Sequence, residues 1–412
     1  MIISRKKPTD GAMKKIRKIR PEENALLIWS LNQGRTAYFS GEELVALKRW
    51  TTGEDSGFIN RLKKLEIVED EDKQAIAKAI ELSKVRKAPG NSFYSPESLH
   101  VELTECCPLN CPQCYKGRES PKILEFSVLQ SVILQADAMQ VFQFALGGGE
   151  PLTYPYLYQA IKEINQCGMA STITTSGYGL DRSVLNKLTQ SGLNHIQVSV
   201  NGSCKEIHSK SREGYEHAIN ALTLLRDSKM SFGVNWVARR DNIEDFPAFI
   251  EKARGYKVNN INVLRYKPSG NEVYKEHYLP ADKATSLAET IRNTRGIRIK
   301  TDSAFSNLLC HLNQRVSFMA GCGAGRRFLA LDAEGNYRPC SHVSTKEKAE
   351  HLQQTWLHSE NLKRFRTIAN HVGEPCASCD YLHGCYGCRA VVLEQGGDFF
   401  DGDRECFLSY GL

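Results

Sequence analysis

The chain lacks any apolar segment long enough to cross a membrane. No run of about 20 apolar residues interrupts its 412 residues, which excludes a membrane-spanning helix. The start of the chain turns basic at Arg5 before an apolar signal-peptide core could form. Internal repeats and low-complexity segments are also missing. These absences predict a soluble cytoplasmic protein, and the length predicts two or three domains.

Most of the chain has no net charge, because its basic and acidic residues balance. Residues 1–20 carry eight basic residues and one acidic residue, whereas residues 21–412 carry 46 residues of each sign. A broad basic face for nucleic acid is therefore not expected. The excess is confined to the first 20 residues, where it predicts a flexible, solvated basic arm.

Cysteine, in contrast, is abundant and clustered. Four of the 14 cysteines fall within residues 106–114, and eight fall within residues 310–406. Disulfides are rare in a reducing cytoplasm, and closely spaced cysteines in such a chain are typical of metal ligands. The sequence therefore predicts metal binding in two regions.

The first 95 residues have the pattern of a small α+β domain. Apolar stretches at 25–31 and 35–39 predict a β-hairpin. Helices are expected after this hairpin, including a short one at 58–65, and residues 67–68 are expected to begin a closing strand. This order predicts a winged-helix-like domain, and residues 87–91 form a Pro/Gly linker.

Strands and helices alternate after residue 99. The candidate strands are 100–103, 141–146, 171–175, 195–200, 232–237 and 260–264, with 297–300 as a further candidate. Repeated βα units predict a parallel sheet with helices outside, curled into a full or partial barrel that binds ligands at the carboxyl ends of its strands. This pattern is lost beyond residue 301, which predicts a separate, metal-bearing domain.

The first cysteine cluster directly follows the first strand of the predicted barrel. Cys107, Cys111 and Cys114 place three thiols on one short loop. Three thiolates bind three irons of a cubane cluster and leave the fourth iron open for a small molecule. A zinc site completed by a distant Cys or His is the alternative.

This loop resembles the signature of the radical S-adenosylmethionine (radical SAM) superfamily, which has three cysteines with this spacing. Tyr115 stands where the family often places an aromatic residue against adenine. Gly148, Gly149, Glu150 and Pro151 match the family's GGEP segment. By this resemblance, the glycines let the backbone approach the methionine part of SAM.

Looser matches follow on later strands. The segment that contains Ser199 resembles the family's strand ending in Ser-x-Asp-Gly, with Asn201 in place of the acid. The resemblance implies that Ser199 and Arg212 hold the SAM carboxylate, since arginine pairs with carboxylates at two points. It also places Leu264 in the adenine pocket.

The C-terminal cysteines allow two interpretations. Their spacing suits a zinc ribbon, but eight cysteines also suffice for two iron–sulfur clusters. The order resembles the SPASM extension of radical SAM enzymes, which carries two auxiliary clusters. The resemblance implies Cys322, Cys340 and Cys388 as ligands of the first auxiliary cluster, Cys310 as a candidate fourth ligand there, and Cys376, Cys379, Cys385 and Cys406 as ligands of the second.

Two departures from the SPASM pattern stand out. Only two residues separate Cys385 from Cys388, where the SPASM pattern has three. In addition, Cys310 lies further from Cys322 in the sequence than in the best-known members. An open iron on the first auxiliary cluster is therefore the alternative to ligation by Cys310.

The N-terminal hairpin and helices resemble the RiPP recognition element, in which a leader peptide adds a strand to the hairpin edge. A winged helix that docks on DNA is the alternative. Sulfatase maturases of the SPASM type have Asp after the Gly-x4-Cys cysteine, whereas Ser341 and His342 follow Cys340 here. This difference argues against a sulfatase maturase and leaves His342 and Asp332 as candidate proton acceptors.

Together these patterns predict an α/β enzyme with three parts. Residues 1–95 would bind a leader peptide, 96–305 would form a partial (β/α)6 barrel with SAM and a [4Fe-4S] cluster, and 306–412 would carry two auxiliary clusters. By resemblance, a 5′-deoxyadenosyl radical abstracts a hydrogen from a precursor peptide, which then forms a thioether or carbon–carbon cross-link. An electron donor such as flavodoxin or ferredoxin is expected, while membrane and nucleic-acid partners are not.

Two other functions compete with this prediction. A DNA-binding iron–sulfur or zinc metalloregulator would bind duplex DNA in a salt-dependent way. A radical SAM protein maturase would oxidise a Cys or Ser side chain.

Overall fold

The computed structural model describes residues 17–31, 35–115, 121–267, 274–311, 321–404, 406 and 408. Most of the predicted basic arm and the hairpin turn lie outside these residues. The strands are β1 (Arg17–Glu22), β2 (Ala25–Ser30), β3 (Arg35–Ser40), β4 (Ser98–Thr104), β5 (Gln143–Gly148), β6 (Ala170–Thr175), β7 (His195–Ser199), β8 (Phe232–Ala238), β9 (Ile261–Arg265), β10 (Ile299–Thr301), β11 (Phe328–Leu331), β12 (Asn336–Arg338) and β13 (Glu347–Lys348).

The helices surround these strands. They are α1 (Gly41–Thr51), α2 (Gly57–Lys64), α3 (Lys73–Ser83), α4 (Phe126–Ala138), α5 (Leu157–Gln166), α6 (Arg182–Gln190), α7 (Lys205–Ser209), α8 (Tyr215–Arg226), α9 (Phe246–Gly255), α10 (Tyr274–His277), α11 (Ala281–Asn293), α12 (Ser306–His311), α13 (Leu352–His358), α14 (Glu360–Arg366), α15 (Leu382–Cys385) and α16 (Arg389–Glu394). No helix in the described part of the chain is long and apolar enough to span a membrane.

A large, mostly parallel sheet forms the centre of the molecule. Its order is β10-β9-β8-β7-β6-β5-β4-β11-β12-β13, and β4 to β10 are parallel neighbours in chain order. The predicted partial barrel is therefore confirmed, with 297–300 overlapping a true seventh strand. Helices cover the sheet with apolar faces of helical period, as in α5, where Leu157, Ala160, Ile161 and Ile164 are all buried.

The C-terminal region continues this sheet. Strand β11 pairs in parallel with β4, so that Leu329 lies opposite Leu99 and Leu331 opposite Val101. All four side chains are buried in the main core. The region beyond residue 301, predicted as a separate metal-bearing domain, thus adds a short apolar strand to the edge of the barrel sheet and buries its side chains there.

The N-terminal region contains the predicted hairpin, β2 and β3, and the predicted helices. Residues 67–68 do not form a strand, and Val68 packs instead into the core of this small domain. The predicted arm also ends earlier than expected, because Arg17, Lys18 and Arg20 belong to β1. These three side chains pair with acidic groups, at 2.8, 2.8 and 2.6 Å, so they are not a solvated cationic tail.

The N-terminal sheet packs against the barrel at the amino ends of its strands. Leu26 and Ile28 of β2 face the N-terminal helices, while Trp29 faces the barrel, as the alternation of a strand requires. The ring of Trp29 stacks on Phe142, just before β5, with centroids 5.8 Å apart. Fully buried Arg20 donates to the carbonyl of Pro96 at 2.8 Å and so joins the two parts.

Candidate active site at the carboxyl ends of the strands

A cavity of about 680 Å³ opens at the carboxyl ends of the parallel strands. Its walls include the loop after β4 and the ends of β4 to β9. Open α/β sheets and barrels bind their ligands at this end. The cavity brings together the sequence-predicted residues Cys107, Cys111, Cys114, Tyr115, Gly148, Gly149, Glu150, Ser199, Arg212 and Leu264. Pro151 follows directly at the amino end of a short 3-10 turn.

The three-cysteine loop is fixed to the barrel by polar contacts. The backbone N–H of Glu213 donates to Cys111 Sγ at 3.4 Å, and the Glu213 carboxylate accepts the N–H of Asn110 at 2.7 Å. Burial raises the pKa of the Cys107 thiol, and the neighbouring Glu150, Cys111 and Cys114 add to this effect. The thiols therefore face one another across a single loop.

The two glycines at the end of β5 let this strand contact the cysteine loop. Gly148 has a φ of +116°, which other residues rarely adopt. A Cβ on Gly149 would lie 2.2 Å from the carbonyl oxygen of Cys106. The N–H of Glu150 donates to that same oxygen at 2.9 Å. Glycine is thus required here by backbone packing, in addition to the approach of a ligand.

Glu150 ties β5 to β6 below the cavity. Its buried carboxylate accepts hydrogen bonds from Thr175 Oγ1 at 2.7 Å, Ser176 N at 2.9 Å and Ser176 Oγ at 2.5 Å. Burial raises its pKa overall, although these donors lower it. Thr175 and Ser176, at the carboxyl end of β6, therefore share one partner, the carboxylate of the GGEP segment.

Asn201 stands where the radical SAM family has an acidic residue, and its side-chain amide can both donate and accept hydrogen bonds. Its Nδ2 donates to Gln113 on the cysteine loop at 3.1 Å and to Ser211 at 2.8 Å. Its Oδ1 accepts the N–H of Val237 at 3.1 Å. Through these contacts Asn201 holds the loop against β8.

Arg212 lies in the loop between α7 and α8 and reaches the cavity wall. Its Nε is buried and has no hydrogen-bond partner among the described residues. Ser199 ends β7 and Leu264 lies one residue before the end of β9 on the same wall. A half-buried arginine that lines a cavity and has a buried, unpartnered Nε suits an anionic ligand group.

The two candidate proton acceptors lie in different places. His342 lines the cavity, and its ring centroid is 4.2 Å from that of Tyr115. Asp332 instead closes the turn between β11 and β12, where it accepts the N–H groups of Glu334 at 3.1 Å and Asn336 at 2.8 Å. Asp332 is therefore a turn residue and is not among the residues that line the cavity.

The cavity also contains ionisable residues that were not predicted, among them Glu102 and Lys267. Glu102 is buried in β4, where its carboxylate accepts the Tyr115 hydroxyl at 3.4 Å. Lys267 pairs with Asp302 at 2.7 Å. Burial lowers the Lys267 pKa, but Asp302 and the nearby thiols of the C-terminal region outweigh burial and raise it. In the sequence, the signal that could have identified Glu102 is a single acidic residue within a buried strand.

A first group of C-terminal thiols lies beside this cavity. Burial raises the pKa of Cys340 to about 12, and nearby Cys322 and Cys388 contribute to the increase. The next two residues, Ser341 and His342, line the cavity itself. These three cysteines are the set that was expected to hold the first auxiliary cluster.

A second group contains the remaining C-terminal thiols and includes one more than expected. The pKa of Cys310 rises to about 11 through burial and through its neighbours Cys379 and Cys406. Cys385 has Cys406 and Cys310 as neighbours, and Cys376 has Cys406. Cys310 therefore lies with the second group, whereas the SPASM resemblance made it a candidate fourth ligand of the first cluster. Among the described residues, no three His, Cys, Asp or Glu side chains form a site for a single metal ion.

Comparison with known proteins assigns the class of this fold and site. Residues 101–253 match the model of the Radical SAM superfamily. These residues include the cysteine loop, both glycines and Arg212. The chain therefore contains a radical SAM domain and is an enzyme; domains of this superfamily bind a [4Fe-4S] cluster and SAM.

The chain is also similar to particular proteins. It is 27% identical to a PqqA peptide cyclase of Methylorubrum populi over 346 residues, which cover 78% of this chain and 88% of that protein. Its fold is similar to that of Streptococcus suis SuiB bound to S-adenosylmethionine, with a TM-score of 0.72, 17% identity, and coverage of 95% and 98%. SuiB bound to its precursor peptide SuiA gives a TM-score of 0.69, 15% identity, and coverage of 94% and 100%.

Proposed function

We propose that this enzyme modifies a ribosomally synthesised precursor peptide and forms an intrapeptide cross-link, either a thioether or a carbon–carbon bond. The observation that carries the proposal is that one cavity borders two thiol groups. Cys107 lines it, and so do Ser341 and His342, the two residues that follow Cys340. A substrate in this cavity would lie near both groups. The similarity to a peptide cyclase and to a precursor-binding protein supports a peptide substrate.

Cys107, Cys111 and Cys114 would hold the [4Fe-4S] cluster that chelates SAM. They fit this group because three thiols of one loop face one cavity, which leaves the fourth position to a ligand. When bound, the cluster and SAM supply a 5′-deoxyadenosyl radical that removes hydrogen from an unactivated carbon. The protein contributes binding, orientation and exclusion of water.

The cavity residues would orient SAM along the strand ends. Arg212 and Ser199 would hold its carboxylate, for which the buried guanidinium nitrogen is available among the described residues. Leu264 and the ring of Tyr115 would contact adenine. The backbone from Gly148 to Pro151 would bind the methionine part.

Both C-terminal thiol groups would carry auxiliary clusters. Cys322, Cys340 and Cys388 would hold the first, with an open position toward the cavity that suits a substrate thiolate. Cys376, Cys379, Cys385 and Cys406 would hold the second. The chemistry that such clusters supply is one-electron transfer, and an external flavodoxin or ferredoxin would provide the reducing electron.

The N-terminal sheet would bind the leader of the precursor. Its order, β1-β2-β3, leaves β1 and β3 as edges. The edge at β1 lies against the barrel, because Arg20 donates to the carbonyls of Pro96 and Gln140 at 2.8 and 3.2 Å. Among the described residues, β3 pairs with β2 alone. We therefore assign the leader to the β3 edge, where Tyr38 is 40% exposed.

The leader site and the cavity lie at opposite ends of the barrel strands. The N-terminal sheet packs on Phe142, just before β5, whereas the cavity lining on β5 runs from Ala145 to Gly148. The three residues from Phe142 to Ala145 span about 10 Å. A precursor would need at least about three extended residues between its leader and its modified residues.

Calorimetric titration of the full-length chain tests this proposal, using the precursor peptides encoded beside its gene. We expect saturable binding of the complete precursor and of its leader alone, and weak binding of its core alone. Tyr38→Ala should weaken leader binding, whereas Leu134→Ala, on α4 and 68% exposed, should not. If neither variant loses leader binding, the leader binds elsewhere on the protein. If the chain binds no precursor at all, the proposal of a peptide substrate is contradicted.

A further inference from the structure

The structure assigns Cys310 to the second auxiliary site, and we propose that it serves there as a fifth cysteine that can hold the cluster when another ligand is lost. This inference rests on the proposed function, in which that site carries a [4Fe-4S] cluster. It concerns the chain's own ligand set, and it differs from the arrangement that the sequence spacing implies.

The first line of support is the position of α12. Asn307 and Cys310 are three residues apart on this helix and therefore share one face. Asn307 Nδ2 lies 3.5 Å from Cys406 Sγ and donates to it. The same helix packs against α15, which ends at Cys385. This face of α12 thus points into the second group of thiols.

The second line of support is the burial of Cys310. Its side chain is fully buried, and its neighbours include Cys379 and Cys406. Cys340, in contrast, has Cys322 and Cys388 as its thiol neighbours. Cys310 therefore lies in the interior of the second group of thiols, on the face of α12 that also carries Asn307.

The third line of support is the number of thiols. A cubane cluster takes one protein ligand for each of four irons, whereas this site contains five cysteines. Cys376, whose sulfur accepts the N–H of Asp403 at 3.3 Å, is the ligand chosen for removal. Loss of Cys376 would still leave Cys310, Cys379, Cys385 and Cys406.

The test is the iron content of three variants of the full-length chain after anaerobic reconstitution. The variants are Cys376→Ala, the double variant Cys310→Ala/Cys376→Ala, and the matched control Cys167→Ala/Cys376→Ala. With three clusters, the unsubstituted chain should bind about 12 irons. We expect about 12 irons in Cys376→Ala and in the control. The double variant should lose about one to four irons, with the electron paramagnetic resonance signal of an incomplete cluster if one iron is lost.

Other outcomes separate this inference from the proposed function. If Cys376→Ala alone loses as much iron as the double variant, or if the double variant retains all of it, Cys310 does not replace a ligand and the inference fails. If the unsubstituted chain binds only about four irons, the auxiliary clusters themselves are absent and both ideas fail. Serine versions of the same variants, which stay close to cysteine in volume, replace the alanine versions if these precipitate.

Discussion

Arg265, the last residue of β9, forms a buried two-point ion pair with Asp403. One guanidinium nitrogen lies 2.9 Å from the carboxylate, and a second nitrogen also donates to it. The same carboxylate accepts the N–H of Cys388 at 3.1 Å, while the N–H of Asp403 donates to Cys376 Sγ. The pair therefore connects the end of a barrel strand to both C-terminal thiol groups.

Asp403→Asn should destabilise the protein strongly. Side-chain exposure is 1% for Asp403 and 7% for Arg265, so the substitution leaves a buried guanidinium without its counter-charge. Loss of one partner of such a pair costs about 3–5 kcal/mol. Urea unfolding of the metal-free chain measures this loss. The matched control is Asp227→Asn, which breaks an exposed pair and should change the stability little; equal losses in both variants would contradict the account.

The ion pair between Glu97 and Arg327 should make the free energy of unfolding decrease at acidic pH. Burial raises the pKa of Glu97, but Arg327 outweighs it and the pKa falls from 4.5 to about 2. A lowered native pKa adds stability above the unfolded value, and this stability is lost as the pH falls toward the native value. Between pH 6 and pH 3 the loss should be about 2 kcal/mol.

Unfolding of the unsubstituted chain and of Glu97→Gln at these two pH values checks this prediction. The stability difference between the two proteins should shrink by that amount at pH 3. A difference that is the same at both pH values would show that Glu97 does not carry the effect.

Gly149→Ala should displace the cysteine loop. The added Cβ would lie 2.2 Å from the carbonyl oxygen of Cys106, so backbone must move. We expect the variant to bind about eight irons instead of about 12 and to lose SAM cleavage. Gly147→Ala is the control, because nothing lies within 4 Å of its added Cβ. Full iron content in Gly149→Ala would contradict the close contact.

Arg212→Ala should weaken SAM binding. A hydrogen bond to a charged group contributes about 1.5–3 kcal/mol, which corresponds to a change of about 10- to 100-fold in Kd. Equilibrium binding of SAM to the reconstituted enzyme measures the change. Arg182→Ala, on the outer helix α6, should leave Kd unaltered, and an unaltered Kd in Arg212→Ala would remove this residue from the SAM site.

The features that could be predicted are those that depend on residues close together in the sequence. The spacing of Cys107, Cys111 and Cys114 places three thiols on one loop whatever the rest of the chain does. The strand pattern likewise predicts the barrel, because buried parallel strands need apolar runs and intervening helices. The approach of Gly149 to this loop is less visible in sequence, since it depends on how β5 packs beside β4.

Features that depend on distant packing were missed or misplaced. Strand β1 has a basic composition, and its place in the fold comes from acidic partners elsewhere, such as Asp137 for Lys18. Cys310 is near Cys322 in sequence, but α12 carries it to the thiols of α15. Lys267 faces the cavity through its pair with Asp302. No local pattern encodes these three positions.

The most direct test of the central claim is the mass of the precursor peptide after reaction. The reconstituted full-length enzyme would be incubated anaerobically with SAM, a reductant and the precursor that it binds. The account predicts SAM cleavage together with the loss of two hydrogens from the peptide for each cross-link. SAM cleavage with an unchanged mass for every bound precursor would contradict peptide cross-linking as the function of this enzyme.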